Sequence, residues 1–314
     1  MRTVNEVKEL IVNKVYNNLC CEFKYNNFIL IGKNMSGKSR LIKNIILDNL
    51  EIIFFIDSIN RIIPNSNPAY RFNQITSINE INSCRIKREN FNKNDVVTNT
   101  ISNSIILNEL IENKQSYVSK LNNFFGVEFD VISENDQFSN IIYKYKLGKD
   151  IHPDLSSGYQ AIIRIIVEVI FAASQGCEFI VIDEIDAHLD NESCIKLIEF
   201  LEVEFANTHF LISTHSPNII LRSKDYNIIK VTENDFCEFY DSNDMDDLNY
   251  INRTIFYSNK RIDNNKSIID DILADFSRRL AAGYKLTEED ITKINSFKNL
   301  TTKQSVLKEF VLRW

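Results

Sequence analysis

Two kinds of apolar spacing divide this chain. Unbroken apolar runs at Asn27 to Ile31 (NFILI), Ile52 to Ile56 (IIFFI), Glu178 to Asp183 (EFIVID) and His209 to Ser213 (HFLIS) have the length and composition of strands buried on both faces of a parallel sheet. Between them, residues 38–49, 158–174 and 191–206 space their apolar side chains three and four apart, the period of a helix. Such alternation predicts an α/β domain with right-handed parallel crossovers and helices covering the sheet. Residues 1–31 read as short strands, and two more short strands are expected within 226–240. Segments 101–124 and 137–147 mix helical spacing with polar residues, which predicts a small, mostly helical insert within about 75–150. Residues 265–314 read as a charged, mainly helical tail with a capping pattern at Thr287 to Asp290. The expected organisation is an α/β domain over 1–235 and a mainly helical extension over 236–314.

Composition narrows the class without naming a function. The 314 residues are 44% hydrophobic and 25% charged, which excludes a disordered or low-complexity polymer. The six cysteines form no C-x-x-C pair and no zinc-spaced cluster with histidine, so a reducing, cytoplasmic setting is expected. The first ten residues lack the apolar core of a signal peptide, and the longest apolar run, Ala161 to Ala173, is interrupted by Arg164 and Glu168. No membrane partner is expected. A net charge of −7 argues against a surface that coats nucleic acid throughout, leaving room only for a local basic groove.

The chemistry is concentrated behind the apolar runs. Gly32-Lys33-Asn34-Met35-Ser36-Gly37-Lys38-Ser39 matches G-x-x-x-x-G-K-[ST] directly after one buried strand and opens a helix that continues with Arg40. The loop amides and the positive end of that helix can wrap a β-phosphate, Lys38 can reach the β- and γ-phosphates, and Ser39 can ligate Mg²⁺. Glu178 to Asp183 delivers Asp183 and Glu184 at the C-terminal end of a second strand, where ligands of parallel sheets bind. Asp183 is the second expected Mg²⁺ ligand, and Glu184 can polarise a water for attack on a γ-phosphate. A third strand ends in Ser213-Thr214-His215, placing His215 at the same edge as a γ-phosphate contact. Ser156-Ser157-Gly158-Tyr159-Gln160 opens a helix 28 residues ahead of Asp183, with Ser156 or Ser157 at the N-cap.

These elements, in this order, resemble the heads of ABC-type ATPases: a Walker A loop at 32–39, a signature loop at 155–160, a Walker B strand at 180–184 and a switch histidine at 215. The signature LSSGYQ departs from the LSGGQ of transporter subunits, and Asp183 to Leu189 (DEIDAHL) is closer to the non-transporter branch related to the OLD, RecF and SMC ATPases. The resemblance implies a P-loop NTPase head with a mixed, mainly parallel sheet. It also implies ATP and Mg²⁺ as ligands and a homodimer around two shared ATP sites, in which Ser156, Ser157, Gly158 and Gln160 close over the nucleotide held by the other copy. Gln74 is the position the resemblance offers for the Q-loop glutamine, and Asp190 is either a residue of the loop crossing the dimer or a helix cap. A separately encoded effector, a nuclease among the options, is the implied partner in an anti-phage defence or DNA-maintenance system. Two other classes stand beside this reading: a scaffold that binds ATP with little turnover, and a transporter nucleotide-binding subunit.

The rest of the chain adds little. Glu233 and the Asp241–Asp247 cluster lack the pattern of a nuclease site and read as a solvated acidic loop. Basic stretches at Arg85-Ile86-Lys87-Arg88 with Lys93, and at Lys144-Tyr145-Lys146 with Lys149, are where DNA would lie if the heads clamp it.

Overall fold

The computed structural model describes residues 2–17, 22–33, 36–59, 77–87, 91, 114–135, 137, 141–232, 236–256, 272–273, 276, 280, 286–297, 300 and 302–313. Asn34, Met35, Gln74, Arg88, Lys93 and Glu233 lie outside them. The chain forms two compact units, Met1–Ile255 and Phe256–Trp314.

The first unit is built on a seven-stranded sheet. Its strands are β1 (Arg2–Thr3), β2 (Asn27–Ile31), β3 (Ile53–Ile56), β7 (Phe179–Ile182), β8 (His209–Ser213), β9 (Tyr226–Val231) and β10 (Phe236–Asp241), in the order β1-β10-β9-β2-β8-β7-β3. The pairs β9-β2, β2-β8, β8-β7 and β7-β3 are parallel, whereas β10 pairs antiparallel with β9 and with β1. The sheet is thus mixed and mainly parallel, as the apolar runs require. Alternate strand residues face opposite layers. Phe28, Leu30, Phe55, Val181, Leu211 and Ile229 share one core with Val7 and Ile11 of helix α1 (Val4–Asn17) and with Leu41, Ile42, Ile45 and Ile46 of helix α2 (Lys38–Leu47). On the other face, Phe54 meets Phe171, with ring centroids 6.0 Å apart. Phe171 belongs to the long helix running Ser157–Ser174, in which every residue from Ala161 to Ala172 is buried.

Three expectations need correction. Residues 4–17 form α1, not strands; Thr3 and Glu6 make a capping box, with Thr3 N donating to Glu6 Oε2 (2.7 Å) and Glu6 N to Thr3 Oγ1 (3.3 Å). Residues 141–147 form a strand, where helical spacing was expected over 137–147. Helices α3 (Ile78–Arg85) and α4 (Lys114–Phe125) are followed by a three-stranded antiparallel sheet of β4 (Phe129–Asn135), β5 (Ile141–Leu147) and β6 (Asp150–His152). In β5 a two-residue period overrides the three-residue spacing: Tyr143 and Tyr145 are buried while Lys144 and Lys146 pair outward with Glu134 (2.5 Å) and Glu128 (2.7 Å). The two units divide at 255/256 instead of 235/236, because β10 completes the sheet beyond β9.

Among the described residues, no strand pairs with the far side of the outer strand β3, and α3 packs along that edge. Asn82, fully buried, accepts from Phe55 N (3.0 Å) and donates to Leu50 O (2.9 Å) and Ile53 O (2.5 Å), and Arg85 donates to Phe55 O. Side chains thus supply partners for Phe55 N, Phe55 O, Ile53 O and Leu50 O in place of a ladder.

In the second unit, helices α9 (Glu288–Asn295) and α10 (Thr302–Arg313) contribute Ile294 and Val311 to a small core with Leu273, Phe276 and Leu280. The capping box at Thr287 and Asp290 is present.

Candidate functional site

Parallel strands send their C-terminal ends to one edge, and the residues singled out in β2, β7 and β8 meet there. Because β8 lies between β2 and β7, the loop after Ile31 and the acids after Ile182 flank the segment after Ser213.

The loop after β2 is shaped by two glycines. A Cβ on Gly32 would lie 2.6 Å from Val231 O, a backbone atom that cannot swing away, and 2.5 Å from Ser36 Oγ. Gly37 caps α2 at φ 107, in the left-handed region where a side chain is strained. Lys38, buried in the first turn of α2, turns its Nζ back to Gly32 O (2.7 Å) and Lys33 O (3.2 Å). Burial holds its amine below the ordinary lysine value, against the opposing pull of the Asp183, Glu184 and Asp186 carboxylates. Ser36 N donates to Lys33 O (3.1 Å), while the buried Ser36 Oγ finds no partner among the described residues. Ser39 and Arg40 are exposed in that first turn. An orphaned buried hydroxyl, a buried ammonium and a loop too tight for any side chain at Gly32 fit a bound phosphate.

Asp183 is buried, with its N–H donating to Ile56 O (2.9 Å) and its Oδ1 accepting from Ser213 Oγ (2.5 Å). Glu184 adopts φ 48, uncommon for a non-glycine residue, and its N–H donates to Ser213 Oγ (2.7 Å). Its Oε1 lies 3.9 Å from His215 Nε2. His215 N donates to Asp186 Oδ2 (3.1 Å). Ser216 Oγ donates to Asn191 Oδ1 (2.7 Å), tying the segment after β8 to helix α6 (Asn191–Glu204). Asp190 is the N-cap of α6, accepting from Ser193 N (2.9 Å) and Ser193 Oγ (2.9 Å).

The signature residues open helix α5 (Ser157–Ser174). Ser156 is its N-cap but makes no side-chain cap bond, and it is exposed together with Ser157. Gln160 folds its Nε2 onto Leu155 O (2.8 Å), so it braces its own loop. Gly158 sits near the segment after β7, where a Cβ would stand 3.7 Å from His188 O. Tyr159 packs edge-on against Phe125 of α4 at 5.4 Å, and α4 also meets α6 through Phe124–Phe200 at 5.3 Å and Lys120–Glu204 at 2.7 Å.

One group in this region is invisible to the motif reading. Arg164 donates to Asp57 Oδ1 (2.8 Å), Asp57 O (2.7 Å) and Ile59 O, and through Nε to Glu168 Oε1 (3.0 Å). Glu168 Oε2 also accepts from Arg85 Nη1 (2.8 Å). All four side chains are at most 4% exposed. Burial would raise the Glu168 carboxyl, but the Arg85 and Arg164 guanidiniums outweigh it and hold it below the ordinary value. The sequence signal was the charged pair Arg164 and Glu168 breaking an otherwise apolar helix. Among the described residues, α5 is the one helix long and apolar enough to cross a membrane; here it is packed in the core.

Of the two basic stretches, Arg88 and Lys93 lie outside the described residues and three of the remaining cations are already paired. Arg85 is consumed by Glu168 and Phe55 O, Tyr145 is buried, and Lys144 and Lys146 are matched by acids. In the acidic cluster, Asp241 accepts from Asn243 N (2.9 Å) and Asp247 caps a short helix, accepting from Tyr250 N (3.2 Å).

With this geometry in place, the model of the RecF/RecN/SMC N terminal domain matches residues 6–237. The chain belongs to that family. It is an ABC-type P-loop ATPase head. The Septu protein PtuA of Bacillus mycoides (strain KBAB4) is 27% identical over 118 residues, covering 35% of this chain and 17% of that protein. This chain therefore spans less than a fifth of the length of that curated relative. Among solved structures, the SMC head domain from Thermotoga maritima is 15% identical, with a TM-score of 0.40 over 68% of this chain and 89% of that one. The protein cbiO1 from Clostridium perfringens, part of the ABC transporter complex cbiONQ, is 14% identical, with a TM-score of 0.41 over 74% of this chain and 86% of that one.

Proposed function

We propose that this RecF/RecN/SMC-family head binds and hydrolyses ATP with Mg²⁺ and dimerises around two ATP molecules. The observation that carries the reading is the convergence of Lys38, Asp183, Glu184 and His215 on one sheet edge, with Glu184 Oε1 3.9 Å from His215 Nε2. Residues 32–40 are the phosphate site, with Lys38 as its charge and Gly32, Lys33, Asn34, Met35, Ser36, Gly37 and Arg40 along it. Ser39 and Asp183 would hold the Mg²⁺, which supplies neutralisation of the phosphate charge. Glu184 polarises the attacking water and His215 contacts the γ-phosphate. Ser156, with its hydroxyl uncommitted as a cap, together with Ser157 and Gly158, serves the nucleotide of a second copy. Family membership and the match to a Septu protein support a role as the ATPase component of a cytoplasmic defence or DNA-maintenance complex with a separately encoded effector.

The test is binding of a fluorescent ATP analogue to Lys38→Ala, followed by turnover of Glu184→Gln. Lys38→Ala is expected to lose binding while keeping its fold; unchanged affinity in a folded protein would remove the phosphate site. Glu184→Gln is expected to keep ATP bound while turnover falls by about 10²–10⁴-fold, the range for losing a general base. Full function with Glu184→Gln would replace hydrolysis by an ATP-assembled scaffold.

A further inference from the structure

Ser213 is the last residue of β8 and is fully buried between the strands that carry the loop and the acids, in register with Leu30 of β2. Nothing in the motif reading gives it a task. Its hydroxyl makes two bonds of opposite sense: Oγ accepts from Glu184 N (2.7 Å) and donates to Asp183 Oδ1 (2.5 Å). A serine hydroxyl has one proton, so accepting the amide hydrogen directs that proton to the carboxylate and fixes Oδ1 as an acceptor. Its carbonyl also accepts from Ile185 N (3.2 Å). One residue therefore holds three consecutive residues of the acidic turn.

The turn needs holding. Glu184 is left-handed at φ 48, a conformation that disfavours a side chain and persists only where the surroundings impose it. The amide of that strained residue is the one bonded to Ser213, and His215, two residues after Ser213, lies beside the Glu184 carboxylate. Ser213 thus links the Asp183 carboxylate, the Glu184 backbone and the His215 segment into one rigid piece.

We propose that Ser213 is a positioning residue for the ATP–Mg²⁺ site, orienting the Asp183 carboxylate toward the metal and fixing the direction from which Glu184 acts. This inference rests on the ATPase reading above. It adds a residue that touches neither nucleotide nor metal.

The test is Ser213→Ala in the full chain, using Mn²⁺ as a spectroscopic stand-in for Mg²⁺ and a non-hydrolysable ATP analogue as the nucleotide. Free Mn²⁺ is read by electron paramagnetic resonance, nucleotide affinity is measured separately in EDTA, and folding is checked by thermal unfolding. The expected result is a Mn²⁺ affinity weakened about 10- to 100-fold, the usual effect of losing a partner of a metal ligand, with the metal-free nucleotide affinity unchanged. In turnover assays kcat is expected to fall while KM for ATP holds. Wild-type Mn²⁺ affinity and kcat in Ser213→Ala would overturn the proposal. Parallel losses in both affinities would also overturn it, because they mark a structural role only. Failure of Lys38→Ala to lose nucleotide would instead overturn the ATPase reading on which it rests.

Discussion

Arg164 holds Asp57 twice, donating from Nη2 to its carboxylate (2.8 Å) and to its main-chain carbonyl (2.7 Å). The signature-bearing helix is thereby fastened to the residue that follows β3, beside the strand that carries Asp183. Both partners are buried, so removing one leaves an uncompensated charge. Arg164→Ala is expected to cost about 3–5 kcal/mol of stability, read from urea denaturation of the full chain. A loss under 1 kcal/mol would show that the pair is not isolated from water.

The same cluster sets an acid limit. The folded-state pKa of Glu168 lies below its unfolded value because of Arg85 and Arg164. Its stabilisation is therefore fully present above the ordinary glutamate value near 4.5 and is lost as pH falls through the lower folded-state value. Wild-type protein is expected to lose stability more steeply than Glu168→Gln as the pH falls from about 4.5 to the lower folded-state value. Equal slopes in denaturation curves taken across this range would contradict the assignment.

Ser156→Arg places a long cation at the exposed start of α5, where the serine makes no side-chain cap bond. ATP binding by the monomer is expected to survive, and ATP-dependent dimerisation, followed by light scattering, is expected to disappear. Undiminished dimerisation would rule out a signature that acts across two copies.

Asn82→Ala removes the side chain that replaces the missing strand beside β3. Phe55 N, Ile53 O and Leu50 O lose their partner in a buried setting. The expected cost is about 1–3 kcal/mol for each group left unsatisfied, discounted where water enters. Chemical denaturation measures it, and a variant as stable as the wild type would mean the edge is hydrated.

The central strands and the residues at their ends were legible because each signal was local and redundant. The cores FILI, FIVI and FLI are apolar without interruption, and each is followed closely by residues with chemistry. Asp190 was legible as a helix cap because an aspartate directly before Asn191-Glu192-Ser193 is a common N-cap, and its bonds to Ser193 bear that half of the reading out. The N-terminal helix carries its own local signal, the capping box of Thr3 and Glu6, which the expectation of short strands over 1–31 leaves out. The β5 hairpin failed for the opposite reason, because Ile, Tyr and Lys satisfy both periods over seven residues. Asn82 and Ser213 carried no signal at all. Their work depends on strands 27 to 30 residues away in sequence, a separation no local pattern encodes.

The contact of Phe125 with Tyr159 has a mechanical side. Helix α4 leans on the first turn of α5 through that pair and on α6 through Phe124 and Lys120, and it leads directly into β4. The small sheet and the signature loop therefore share a bearing. One aromatic contact, Phe125 on Tyr159, thus couples the β4–β6 sheet to the residue next to Gly158.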